Sequence, residues 1–221
     1  MPMTDERRTL ILDVDGTLVD STYHHAMAWS RAFRACALEV PMWRVHRSVG
    51  MGGDRLVAAL FGDVVEDKIG DVLRKRWSDA YDELRPEVKA LPGARRLLER
   101  LHREGHRVAV ASSGNRDDTD QALEVVGAQG LLDIVTTGDD VDSSKPAPDV
   151  IEVCCKRLGG GPATVVGDTV YDVAAAQALG LPCIAVRTGG FGAEELTAAG
   201  AVLVTDDLTA LLEDKWSALV A

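Results

Sequence analysis

The run Thr9-Leu10-Ile11-Leu12-Asp13-Val14-Asp15-Gly16-Thr17-Leu18 sets the reading of the chain. Residues 9–14 are short and mostly apolar, the pattern of a strand buried on both faces. In open α/β sheets, ligands bind beyond the carboxyl ends of the strands. Asp13 and Asp15 are therefore expected at that edge, and period-two alternation puts them on the same side of the backbone. Two close carboxylates repel, so they call for a cation or a shared proton. Gly16 lets the chain turn sharply. An ordinary Asp-Gly turn accounts for Asp15-Gly16, but not for an acid at position 13, where a buried strand ends.

Similar apolar runs recur at 106–112, 133–137, 163–167, Cys183–Val186 and 201–204. Helical patterns lie between them. Ala94, Leu97, Leu98 and Leu101 have the spacing of one buried helix face, bracketed by Pro92 and Gly105. Residues 121–126, 148–158 and 173–179 are the next candidates. This alternation predicts an α/β fold with a doubly wound, mainly parallel sheet. Residues 21–90 break the rhythm and show no convincing strand. Ala26, Trp29, Phe33 and Cys36 mark one amphipathic helix there, and Val65, Ile69, Leu73, Trp77 and Leu84 a longer one. A shorter helix is expected to start at Gly53-Asp54. The expected organisation is a core of 1–20 and 91–221 with an all-helical domain, 21–90, inserted after the first strand. Two chain crossings make a natural hinge.

Three more strand ends carry polar groups. Gly167-Asp168-Thr169-Val170-Tyr171-Asp172 follows the run at 163–167. Asp172 lies one helical turn beyond Asp168, so both can face one cleft. Asp168 alone reads more readily as a helix N-cap, but strand-end acids together suit a hard, oxygen-liganded cation such as Mg2+. Ser112 ends another strand, with Ser113, Gly114 and Asn115 before a helix. Their hydroxyls and backbone N–H groups can hold phosphate oxygens, although a plain serine cap is the simpler reading. Lys145 sits in Ser144-Lys145-Pro146-Ala147-Pro148, where the prolines stiffen the approach to a helix.

In this order, Asp13-Val14-Asp15-Gly16-Thr17, Ser112, Lys145 and Gly167-Asp168 with Asp172 resemble the four motifs of the haloacid dehalogenase superfamily of phosphohydrolases. The helical insert, Asp20-Ser21 and Gly50-Met51-Gly52-Gly53 resemble capped members of its phosphoglycolate phosphatase and β-phosphoglucomutase branch. The resemblance implies Mg2+-dependent hydrolysis of a small phosphate monoester. Asp13 would attack phosphorus and form an aspartyl-phosphate. Asp15 would protonate the leaving oxygen and then activate water. Asp13, the Asp15 carbonyl and Asp168 would hold the metal, while Ser112, Ser113 and Lys145 would bind phosphate. Asp172 would hold a metal-bound water or orient Lys145. A second aspartate at position 15 favours phosphoryl transfer over dehalogenation, and Gly167 before Asp168 favours a phosphatase over a sugar-phosphate mutase. The mutase remains the alternative, as does a non-catalytic binding protein on the same fold.

Net charge of -11 argues against a chain that coats nucleic acid. A small phosphorylated metabolite is the expected partner, with no nucleic acid and no membrane; no apolar run reaches the ~20 residues of a spanning helix. The four cysteines lack zinc-site spacing, and the segment before Leu10 is charged rather than signal-like. Both features predict a cytoplasmic protein with free thiols. His24, His25, His46 and Arg47 are expected on solvated or interdomain surface, with Arg47 and His25 the alternatives that could reach a substrate when the insert closes. Lys68, Lys75 and Lys89 read as solvated too. If the Gly50–Gly53 loop faces the cleft, Arg47 is the residue expected to select substrates.

Overall fold

The computed structural model describes residues 8–141 and 143–213, so most of the segment before Leu10 lies outside the described residues. Six parallel strands form one sheet: β1 (Thr9–Leu12), β2 (Arg107–Ala111), β3 (Ile134–Thr136), β4 (Thr164–Gly167), β5 (Cys183–Val186) and β6 (Leu203–Thr205). Their order is β3-β2-β1-β4-β5-β6. β1 is central, with Leu10 opposite Val108 on one side and Thr164 on the other. Its alternation divides the core in two. Leu10 and Leu12 join one cluster with Leu97, Leu98 and Leu101. Ile11 joins the other with Ile151, Val165 and Val173. An unbroken apolar strand is what a sheet covered on both faces requires. Strand order reverses on either side of β1, so a crevice opens at the carboxyl ends of β1 and β4.

The helices that cover the sheet are α5 (Ala94–Arg103), α6 (Arg116–Val126), α7 (Asp149–Arg157), α8 (Val170–Ala178) and α9 (Ala193–Ala199). Before them, four helices follow β1: α1 (Thr22–Ala35), α2 (Met42–Ser48), α3 (Gly53–Phe61) and α4 (Asp63–Leu84). These four have their own apolar centre, built from Trp29, Phe33, Leu56 and Leu73. Only isolated bridges interrupt the helical character of this stretch among the described residues. The two crossings between insert and sheet run side by side. The Asp20 N–H donates to the Lys89 carbonyl, and the Leu91 N–H donates to the Leu18 carbonyl.

All six expected strands form: Cys183–Val186 keeps its expected bounds, the first four are shortened at their ends, and the last is displaced to Leu203–Thr205. α6 and α8 begin earlier than hydrophobic spacing suggests. The first turn of α6 is polar and that of α8 carries Asp172, and Asn115 and Thr169 cap the two helices by accepting from the Asp118 and Asp172 N–H groups. α2 and α9 were not expected. Each is a short helix burying one or two side chains, too few to leave a period. No described helix is long and apolar enough to cross a membrane.

Candidate active site

The Asp13 N–H donates to the Val166 carbonyl at 2.8 Å, so Asp13 is still held by the sheet. Its Oδ1 lies 2.5 Å from Lys145 Nζ. Gly16 then turns the chain with φ of +78°. Asp15 leaves in another direction: its Oδ1 accepts from Ser21 Oγ at 2.5 Å and lies 2.9 Å from His25 Nε2. The two carboxylates of the first motif are thereby given separate surroundings.

Asp168 leaves the end of β4 almost fully buried. It is not the cap of α8; Thr169 takes that place. Asp168 Oδ1 accepts from Thr17 Oγ1 at 3.2 Å, whereas the buried Oδ2 has no hydrogen-bond partner. Two glycines crowd Oδ2. A Cβ on Gly16 would stand 2.2 Å from it, and a Cβ on Gly189 would stand 1.8 Å away. Asp172 uses Oδ2 to accept from Thr169 N–H and Oγ1 at 3.0 and 2.6 Å, and offers Oδ1 to Lys145 Nζ at 2.7 Å. Lys145, 2% exposed, thus ties Asp13 to Asp172.

Oxygens of Asp13, Asp168 and Asp172 all lie within 4.8 Å of one another. Three carboxylates facing one lysine leave an excess of negative charge. Burial first, then the neighbouring carboxylates, pushes Asp13 up to about 7 and Asp168 well above the usual range, against the pull of Lys145. Burial opposes the Lys145 charge, but Asp13 and Asp172 outweigh it and hold its pKa above the normal lysine value. Burial opposes the Asp15 charge too, yet His25 and the Ser21 hydroxyl more than offset it and keep Asp15 low. The unpartnered Asp168 oxygen and the clustered acids suit a divalent cation, which takes oxygen ligands and relieves this repulsion.

Ser112 is buried, and its Oγ accepts from the Gly114 N–H at 3.0 Å. Ser113 Oγ is buried without a partner, and Ser113 lines a cavity of about 370 Å³ with Asp13 and Asp15. α1, α3 and α4 close the other side of this cavity with Trp29, Leu56 and Trp77. The Gly50–Gly53 stretch also faces it, pressed against the sheet domain: a Cβ on Gly50 would stand 2.7 Å from Thr169 Cγ2, and one on Gly52 2.1 Å from Ser144 Oγ.

Of the expectations about the insert, one is sharpened and one corrected. His25, expected on solvated or interdomain surface, takes the interdomain place and is buried there, stacked 4.1 Å from Tyr81 and 5.6 Å from Trp77, with Nε2 on Asp15. Its signal was Ser21 and His25 at i and i+4, which puts both on one face of α1 beside Asp15. Arg47 does not face the cavity. It pairs with Glu195 and lies over the Phe191 ring, while His46 Nε2 is 3.0 Å from the Gly189 carbonyl. Lys68, Lys75 and Lys89 are exposed as expected.

With this geometry in place, comparison with known proteins gives a consistent answer. Residues 10–186 match the family model of the haloacid dehalogenase-like hydrolases. The chain is 30% identical to validoxylamine A 7'-phosphate phosphatase of Streptomyces hygroscopicus subsp. limoneus, over 95% of this chain and 96% of that protein. It is 29% identical to a plasmid phosphoglycolate phosphatase of Cupriavidus necator, over 91% of this chain and 90% of the other. A crystal structure of a hydrolase from Pseudomonas syringae superimposes with a TM-score of 0.88 at 33% identity, covering 93% of this chain and 96% of that one. The chain belongs to the haloacid dehalogenase-like hydrolase family. Within that family it is a phosphatase.

Proposed function

We propose that the chain hydrolyses a small phosphate monoester with Mg2+, through an aspartyl-phosphate on Asp13. The observation that carries this reading is the pairing of a strand-end carboxylate, Asp13, with a differently partnered one, Asp15, at one cavity. Asp13 Oδ attacks phosphorus while the bond from phosphorus to the ester oxygen breaks. Asp15, positioned by Ser21 and His25, gives a proton to the departing alcohol and recovers one from the attacking water. Water then displaces Asp13 from phosphorus and yields inorganic phosphate. Ser112, Ser113 and Lys145 hold the phosphoryl oxygens. Asp172 keeps Lys145 in position and belongs to the acid cluster.

Asp13, Asp168 and the Asp15 backbone carbonyl would hold the Mg2+, with Asp172 beside them. When bound, it supplies the positive charge that keeps Asp13 and Asp168 ionised and neutralises the phosphate. The bare carboxylates are shifted up, which supports a cation as the natural counter-charge.

Residues 21–90 are proposed as a helical cap over a core of 1–20 and 91–221, with the paired strands at Asp20 and Lys89 as its hinge. Closing excludes bulk water, and opening releases product. A cavity roofed by helices favours a small metabolite over a folded phosphoprotein or nucleic acid. The described cysteines are all free, which supports a cytoplasmic enzyme. Phosphate release from a panel of small monoesters tests the reading: Mg2+ should be needed, and full rates in excess chelator would overturn it.

A further inference from the structure

Part of the cavity lining has a composition that the catalytic reading does not use. One wall is aromatic: Trp29 and Trp77 stack with ring centroids 5.4 Å apart and planes inclined by 20°. Trp77 Nε1 is buried and has no hydrogen-bond partner. The remaining lining includes Asp54, Asp118, Asp139 and Asn115; Asp118 and Asn115 are bonded to each other and Asp118 to Arg85, whereas Asp54 and Asp139 keep oxygens without a side-chain hydrogen bond.

Cationic groups are scarce there. Among the described residues lining the cavity, Arg74 and His25 are the basic ones. His25 is committed to Asp15. Arg74 is committed twice, with Nη1 2.7 Å from Glu66 and Nη2 2.8 Å from Asp71. A carboxylate on the non-phosphate end of a substrate would meet carboxylates and no spare cation. Like charges at close range in a partly dry cavity are strongly disfavoured. A hydroxyl group meets the opposite situation, because the carboxylate oxygens of Asp54 and Asp139 can accept from it. The apolar face of a saturated ring suits the flat indole wall.

We infer that the phosphate monoester taken by this site carries a polyhydroxylated ring without a second anionic group, a sugar or cyclitol monophosphate, and that a carboxylate-bearing ester such as phosphoglycolate is selected against. This rests on the phosphatase reading for turnover, but ring recognition is separable from chemistry. The aromatic wall and the absence of an uncommitted cation carry the argument; the acids at the rim add to it.

Two measurements test it. The first is kcat/KM with Mg2+ for hexose and inositol monophosphates, for 2-phosphoglycolate and for an aryl phosphate as a generic substrate. Ring esters should exceed phosphoglycolate by about tenfold or more. Asp54→Lys adds a cation at a half-exposed position and should narrow that ratio by about fivefold. The second is binding to the Asp13→Asn protein, read by tryptophan fluorescence. Ring esters should perturb the emission at concentrations where phosphoglycolate does not, and Trp77→Phe should weaken ring binding while leaving aryl phosphate turnover measurable. Equal or better kcat/KM for phosphoglycolate, with aryl phosphate hydrolysed normally, would overturn the ring assignment and leave the phosphatase standing. Ring binding without hydrolysis of any ester would support the assignment and overturn the phosphatase reading.

Discussion

The two walls of the cavity are built on different principles. On the sheet side, functional groups sit at strand ends: Asp13 after β1, Ser112 after β2 and Asp168 after β4. Adjacent strands hold these positions in register, and the side chains are buried, with Asp13 tied through Lys145 to Asp172. On the helical side, the lining comes from faces of α1, α3 and α4, and its residues pack mainly by aromatic stacking. A strand end is a fixed address, so a short motif can encode it. A helix face is shared among residues spread over several turns, so no motif encodes it. Under the proposed function, the difference would put chemistry on the sheet and choice of substrate on the helices.

The comparison predicts that damage on the sheet side is catastrophic for every substrate. Asp13→Asn should lower kcat by roughly 10⁴-fold or more while the protein still folds. Near-normal turnover by the purified variant would remove Asp13 as nucleophile.

The acid cluster makes the next prediction, with a readout independent of turnover. Mg2+ should raise the melting temperature of the native chain, because a ligand bound to the folded state stabilises it. Asp168→Asn should abolish that rise and also remove activity. A persistent Mg2+-dependent shift in the variant would place the ion elsewhere.

His25 is the one helical residue expected to behave like the sheet side. His25→Gln should lower kcat by about 10²-fold with a smaller change in KM, and should alter the pH–rate profile, since Asp15 loses its buried partner. A change confined to KM would return His25 to the substrate-selecting wall.

The smallest effect concerns stability rather than rate. Asp140 is held down to about 2 by hydrogen bonding from Arg157, with further bonds from Thr137. A depressed carboxyl stabilises the fold above its unfolded pKa and loses that contribution as pH falls through its folded pKa. Asp140→Asn should therefore melt below the native chain near neutral pH, and the gap should close between about pH 4 and pH 2. A gap independent of pH would assign the loss to packing.

Much of this was legible in the sequence because buried parallel strands write themselves as apolar runs. All six strands were readable as apolar runs, and Asp13, Ser112 and Asp168 each follow one of them. The mutual distances were not readable. Nothing in the spacing of Lys145 shows that it bridges Asp13 and Asp172, since loop geometry has no period. The insert was legible as helical but not as a lining. His25 looked like surface charge because its stacking partners, Trp77 and Tyr81, come from a distant helix. Arg47 looked suited to a substrate because it adjoins the Gly50–Gly53 loop, yet it is claimed by Phe191 and by Glu195 of α9, a helix with too few buried side chains to be seen.

Asp168 keeps its position partly through atoms that other residues lack. Gly189 has no unusual backbone angle to justify it, and the need for glycine there is one of room alone. A single methyl group, Gly189→Ala, would occupy the space of Asp168 Oδ2 and turn that carboxylate aside. Such a protein would keep every acidic side chain and still lose its response to Mg2+ in a melting experiment. Retention of the full response would show that the loop at 189 can yield. The charge pattern of the site is thus secured from a distance by an omission, and an inventory of ligands alone would rate the variant as intact.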